Sequence, residues 1–388
     1  MRGRRVIAGL FFIALLLAAS AIWRLAHRPQ ANALLLTHVR FSDLQGWNTV
    51  DPRAALAAFV RSCGVMTAAP PQTAVGAYAG TVGDWRAVCD AAAKADANAA
   101  RDFFEQWFAP MAVGGDALFT GYYEPELHAS LARHGRYQTP VYGLPDDLVT
   151  VDLGRFGDKF KGEHITGRVE SRRLVPYPTR EAIDEDAPRT AKILFYADDP
   201  VAVFFLHIQG SGRVTFDDGT TSRVTYAGQN GRPYTAIGRT LIAQGQLTRD
   251  KTSLQTIRAW LLAHPDKARA VMESDASYVF FKLVPVGDPA LGAVGSEGVA
   301  LTPEASIAVD AKAHPLGAPF FVTTTMPDGR TKLDRVLVAQ DTGGAITGPA
   351  RADIFFGTGA RAEALAGEMK QTGRLTVLLP KPVAERIR

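Results

Sequence analysis

The chain has 388 residues, with Lys and Arg at 43 against Asp and Glu at 39, and a hydrophobic fraction of 47%. That length supports two domains with a sizeable core, and the composition is globular rather than fibrous or disordered. The mild positive balance comes with no run of Lys and Arg interleaved with aromatics, so a nucleic-acid groove is not indicated, whereas an anionic polymer suits it.

In chain order, Arg2, Arg4 and Arg5 precede an uncharged, mostly apolar run over 6–23. As a helix it would reach roughly 27 Å, close to the hydrocarbon thickness of a bilayer. Ala19-Ser20-Ala21 offers a signal-peptidase site. Residues 1–30 are therefore read as a signal peptide or an uncleaved membrane anchor. Either one exports the rest of the chain to the periplasm or cell envelope. No Cys follows the apolar run closely, which excludes a lipid anchor on an N-terminal Cys.

Residues 24–40 read as a linker and 41–112 as largely helical, with Asp43 and Asp51 as candidate N-caps and Pro52 at a first helical position. Cys63 and Cys89, the only cysteines, fall on two amphipathic helix patterns. Two readings stand: a disulfide formed in an oxidising compartment, or two buried thiols. Neither has the His and Cys neighbours that a zinc site needs. An aromatic cluster, Phe103, Phe104, Trp107 and Phe108, reads as core.

From Leu118 to about residue 235 the signals become strands and turns. In Phe119-Thr120-Gly121-Tyr122-Tyr123-Glu124-Pro125, adjacent tyrosines point to opposite faces of a strand. One can pack inward while the other stacks on a sugar face, and Glu124 can accept sugar hydroxyls. The bland alternative is a buried Tyr pair. Arg168, Arg172, Arg173 and Arg180 form either a solvated face or a groove lip that holds peptide carboxylates. The segment 201–214 reads as β-rich and broken by glycines. Within it, Gln209, Ser211 and Arg213 are donors suited to hydroxyls, amides and carboxylates, and His207 reads first as a core histidine rather than a base. Asp218-Gly219 marks a hairpin. In Tyr226-Ala227-Gly228-Gln229-Asn230-Gly231-Arg232-Pro233-Tyr234, Asn-Gly signals a turn, and two tyrosines flanking amides suit a carbohydrate groove. Helices return over 237–244, 253–263 and 265–272.

From Tyr278 onward short strands punctuated by Gly and Pro suggest a small closed barrel, ending in the buried strand 375–380. Two carboxylates stand out there, in Gln340-Asp341-Thr342-Gly343-Gly344-Ala345 and Arg351-Ala352-Asp353-Ile354-Phe355-Phe356-Gly357. Each lies at an apolar run, where desolvation raises a carboxyl pKa. A carboxylic acid that keeps its proton near neutrality is what glycosidic cleavage requires. The alternative is that both aspartates anchor turns.

Together, 119–125, 207–214, 226–234, 277–281, 301–310 and 340–359 resemble the membrane-bound lytic murein transglycosylase A family. The last part is similar to a domain named for three aspartates, here Asp310, Asp341 and Asp353. The resemblance implies a mainly β fold with helices, in which a double-psi β-barrel domain is interrupted by a second β domain, with a groove between them. Its parts would be 31–122, an inserted 123–236, and 237–388. It implies non-hydrolytic cleavage of the MurNAc–GlcNAc β-1,4 bond to 1,6-anhydroMurNAc ends, with Asp353 as catalytic acid and Asp341 holding it in place and raising its pKa. Thr120, Tyr122, Tyr123, Glu124, Gln209, Ser211, Gly212, Arg213, Tyr226, Asn230, Tyr234 and Tyr278 would bind peptidoglycan strands. No metal or organic cofactor is implied, and no protein partner is identified. The chain departs from the family pattern at Asp275 and Ala276, where Asn and Pro are expected.

Overall fold

The computed structural model describes residues 34–387, so the expected export segment at 1–30 lies outside the described residues. The fold mixes helices with three sheets of eight, six and three strands. The eight-stranded sheet runs Leu36–His38, Phe108–Val113, Lys370–Pro380, Pro319–Thr325, Lys332–Asp341, Ser306–Val309, Arg351–Thr358, Ala117–Glu124 in order of pairing. Lys370–Pro380 also pairs with Ala117–Glu124. Six of its strands therefore form a continuous circuit of hydrogen-bonded neighbours. Their interior is apolar: Ile307, Phe320, Leu337, Ile354 and Val377 are fully buried.

Two N-terminal helices pack on this sheet. Arg53–Met66 and Val82–Ala92 bury Phe59 and Trp85 against Phe108. Cys63 and Cys89 are joined as a disulfide across them, with Cα atoms 5.3 Å apart. Asp51 caps the first helix from just outside, accepting the Arg53 amide, with Pro52 as the N-cap residue. Asp43 instead closes a single 3₁₀ turn.

The six-stranded sheet draws on Glu126–Ser130, Thr139–Tyr142, Ile193–Ala197, Ser211–Phe216 and Thr221–Gln229, and takes its edge from Val279–Val284. The Asp-Gly hairpin joins Ser211–Phe216 to Thr221–Gln229, with Gly219 at φ +82°.

One expected element differs. The β-rich reading of 201–214 is corrected by a helix, Pro200–Gln209, followed by the strand Ser211–Phe216. Asp199 accepts the Val201 amide at 2.8 Å, Pro200 occupies the first turn, and Gly210 leaves the helix at φ +78°. The helix is wedged between the six-stranded sheet and the helices Ile237–Ala243, Leu254–Ala263 and Pro265–Glu273. Burial on nearly every side removes the 3.6-residue periodicity that would have betrayed it, and packing overrides the β-preference of Val and Phe.

Candidate active site

The two sheets meet over a cavity of about 390 Å³ lined by Tyr122, Gln209, Tyr226, Tyr234, Asp341 and Asp353, among others. Both carboxylates reach it through strand register. Ala308 pairs with Asp341 on one neighbouring strand and with Asp353 on the other. Thr120 then pairs with Asp353, and Lys370 with Thr120. Asp341, Ala308, Asp353, Thr120 and Lys370 therefore stand in one row across five strands. Neighbouring strands lie about 4.8 Å apart, so the two aspartates are separated by about 10 Å at the backbone, with only a methyl group between them.

A bulge sets this row. Ile307 pairs with Ala339 but Ala308 with Asp341, leaving Gln340 as the extra residue. Bulges re-aim side chains beside active sites. Here Gln340 turns into the core, where its amide donates to the Ala58 carbonyl at 2.9 Å and to Ser62 Oγ at 2.8 Å. Asp341 is left facing the cavity.

Asp353 is bonded by the Thr120 hydroxyl. Burial pushes its pKa above the ordinary carboxylate range. The negative charge of Asp341 acts in the same direction, while Thr120 and Arg351 oppose it. Asp341 makes no hydrogen bond to Asp353. Its Oδ2 accepts from the Tyr122 hydroxyl at 3.1 Å, and its Oδ1 from the Ser296 amide at 2.9 Å and hydroxyl at 2.8 Å. The expectation that Asp341 holds Asp353 in place is thus corrected. With Ala308 between them, Thr120 positions Asp353 and Asp341 acts through its charge. Burial, reinforced by both carboxylates, raises the Tyr122 pKa far above its usual value, so this phenol remains a donor. Gly121 allows the close packing behind it, because a Cβ there would lie 2.8 Å from the Ala366 Cα.

The turn that carries Ser296 was not singled out from the sequence. Its neighbour Glu297 donates its amide to the Gln340 carbonyl at 3.1 Å and accepts from Ser62 Oγ at 2.7 Å. It thereby ties the turn to the helix Arg53–Met66. Burial pushes the Glu297 pKa up to about 7. The string Gly295-Ser296-Glu297-Gly298 signals a turn, but nothing local says that the turn closes on the strand that carries Asp341.

The predicted binding residues divide into two groups. Tyr122, Gln209, Tyr226 and Tyr234 line the cavity. Tyr226 and Tyr234 stand half exposed, as stacking platforms must. Ser211 lines an adjoining cavity that shares Gln209, Tyr226 and Asp341 and adds Lys282 and Ser296. Tyr123 and Tyr278 are buried, and the Tyr278 ring lies 4.3 Å from His207. Glu124 is fully buried and bridges Arg213 at 3.1 Å and Arg223 at 2.7 Å, which corrects its reading as a sugar acceptor. Arg213 is committed to that pair and to the carbonyls of Pro289 and Leu291. Gly212 packs against Leu206 and the Pro125 carbonyl. Asn230 is also fully buried. Its amide donates to the carbonyls of Pro178 and Ala276 and accepts the Tyr278 amide, so it braces the sheet edge rather than a ligand.

His207 is a satisfied core histidine: Nδ1 accepts the Val279 amide at 3.1 Å, and burial holds its pKa well below the usual value. Arg180 is buried in the wall of the cavity rather than on an exposed lip, donating to the carbonyls of Asp275 and Ser277. The departure at Asp275 is accommodated there. Its carboxylate accepts the amides of Thr235 and Ser277 and lies 3.8 Å from Arg180. Asp310 is structural, accepting the Gly348 amide at 2.7 Å and so fixing the loop between the two site strands.

Residues 118–282 match the family described as MltA specific insert domain, and residues 305–379 match the 3D domain. Membrane-bound lytic murein transglycosylase A of Escherichia coli (strain K12) is 32% identical over 283 residues, covering 70% of this chain and 68% of that protein. Its Vibrio cholerae counterpart is 33% identical over 269 residues, covering 67% and 65%. The crystal structure of a membrane-bound lytic murein transglycosylase from Agrobacterium tumefaciens superposes with a TM-score of 0.81 at 34% identity, over 91% of this chain and 99% of that one. E. coli MltA with bound chitohexaose gives 0.63 at 25% identity, over 90% and 95%.

Proposed function

The chain belongs to the membrane-bound lytic murein transglycosylase A family, and from that premise we infer how its own residues carry out the reaction. The enzyme is a lytic transglycosylase that cleaves the glycan of peptidoglycan. The observation that carries the mechanism is the row in which Asp353, desolvated and bonded by Thr120, shares one cavity with Asp341. Protonated Asp353 donates to the glycosidic oxygen as the MurNAc C1–O bond breaks and an oxocarbenium-like state develops. Asp353, now a carboxylate, takes the proton of the MurNAc 6-hydroxyl as that oxygen bonds C1. The products are a 1,6-anhydroMurNAc end and a GlcNAc with a free 4-hydroxyl, and no water is consumed. The attacking hydroxyl belongs to the substrate, so the step is intramolecular and needs no second catalytic carboxylate. Asp341 keeps Asp353 protonated through its charge and faces the positive charge developing at C1. Tyr226 and Tyr234 offer faces to sugar rings, and Gln209 and Ser211 offer hydrogen bonds to their substituents.

We read the six-strand circuit as a double-psi β-barrel. The inserted domain, expected over 123–236, is taken to include Val279–Val284 as well, because that strand pairs with Thr221–Gln229. The glycan groove runs between the two. An envelope location, reached through the N-terminal basic and apolar segment, agrees with the names of the relatives.

The test is mass spectrometry of soluble products from purified sacculi, beside Asp353→Asn. Anhydro ends from the wild type that vanish in the variant support the assignment. Reducing ends would point to a hydrolase, and binding without release to a wall-binding clamp. Undiminished anhydro products from Asp353→Asn would remove Asp353 as the acid.

A further inference from the structure

Beside the catalytic cavity lies another, of about 420 Å³, whose lining includes Arg239, Arg249 and Lys370 and no carboxylate. None of these three cations belongs to an ion pair among the described residues, whereas nearby Arg258 pairs with Glu363 at 2.7 Å. The floor is apolar, with Ile237 and Ile257 prominent. Two features join this cavity to the chemistry. Tyr234 lines both cavities, and Lys370 is the strand partner of Thr120, the residue that bonds Asp353. The Lys370 backbone is therefore two strands, about 10 Å, from that of Asp353.

A cavity with an apolar floor and three uncompensated cations selects a ligand with several anionic groups on a small apolar frame. The substrate carries such a group. Each MurNAc bears a short peptide on its lactyl ether, rich in alanine methyls and free carboxylates. At about 3.3–3.6 Å per extended residue, three or four residues span the roughly 10 Å from the Asp353 backbone to that of Lys370, and Arg239 and Arg249 line the same cavity. We propose that this cavity recognises the peptide stem of the MurNAc being cleaved, with Arg239, Arg249 and Lys370 holding its carboxylates. This rests on the transglycosylase reading. It makes the stem a source of specificity, while the sugar chemistry stays with Asp353.

The experiment compares kcat/KM on stemmed glycan strands and on the same strands stripped of peptide by an amidase, for wild type and Arg239→Ala/Lys370→Ala. The wild type should favour stemmed strands, and the double variant should lose about tenfold of that preference, the scale of one charge-assisted hydrogen bond. The preference should also decline with ionic strength, since the cations are exposed. A wild type that treats both substrates alike, or a ratio unchanged in the variant, would overturn the inference and leave the transglycosylase reading intact. If neither substrate is cleaved, both fail. Should the double variant fold poorly, Lys370→Gln and direct titration of the wild type with a free stem peptide, against the same peptide with amidated carboxyls, decide the matter. Equal affinity for the two peptides would refute it.

Discussion

Glu297 provides a test of the architecture that is independent of catalysis. Its carboxyl is pushed from 4.5 up to about 7 by burial against the helix Arg53–Met66, with Ser62 as its side-chain partner. Among the described residues no cation offsets that burial: Arg61, next to Ser62, is directed at Thr302. Below pH 4.5 the group is protonated whether the chain is folded or not. Between 4.5 and 7 the folded state holds the proton and the unfolded chain does not, so stability falls as pH rises. Above 7 the loss is complete. A shift of this size corresponds to about 3 kcal/mol, and partial exposure reduces it to about 2. Glu297→Gln carries no charge at any pH and still accepts from Ser62. Its amide nitrogen, which would face Met66 and Gly317, adds a cost that does not vary with pH. Thermal unfolding at pH 5 and pH 8 should therefore show the wild type losing on the order of 5 °C more than the variant between the two values. Parallel pH curves for the two proteins would refute the burial argument.

Two further outcomes follow from the site. Because the Asp341 charge helps to hold the Asp353 pKa up, Asp341→Asn should move the alkaline limb of kcat/KM to lower pH, since activity is lost as pH rises through the Asp353 pKa. An unmoved limb in a pH–rate profile would show that the charge does not reach Asp353. Glu124→Ala leaves Arg213 and Arg223 without their buried counter-charge, a loss of about 3–5 kcal/mol. The low end applies, because both arginines keep carbonyl partners. Urea denaturation should register the loss, whereas a raised KM with unchanged stability would restore Glu124 to the groove.

The sequence nominated both carboxylates because Asp within an apolar run, beside glycines, is unusual whatever the fold. It nominated Tyr122 because adjacent tyrosines on a strand must face opposite ways, Gln209 for its hydrogen-bonding amide, and Tyr226 and Tyr234 because they flank an Asn-Gly turn. The errors share one cause. Glu124, Asn230 and Tyr278 are polar or amphipathic residues whose partners lie tens of residues away in sequence. Glu124 meets Arg213 and Arg223, and Asn230 meets Pro178 and Ala276. A polar residue that braces a buried sheet edge and one that holds a sugar present the same chemistry in a one-dimensional string. Only burial, which long-range packing determines, separates them. The helix Pro200–Gln209 was hidden in the same way, because the tertiary contacts that bury it on all sides also erase its periodicity.

Register explains why the site itself could be named but not built from the sequence. Residues 120, 308, 341, 353 and 370 come from five strands, joined by parallel and antiparallel pairings. Their order in the row bears no relation to their order in the chain. Strict alternation along Lys332–Asp341 would place Gln340 and Asp341 on opposite faces without saying which face is the core. The bulge decides it, and Ser62, Ala58 and Ser306 hold the result by satisfying the Gln340 amide. Ala308 contributes by its small size: a longer side chain at that point would stand between the carboxylates in the cavity they share. The same row carries Lys370 past Thr120 to the neighbouring cavity. The register that places Asp353 in its cavity therefore also places Lys370 at the neighbouring one.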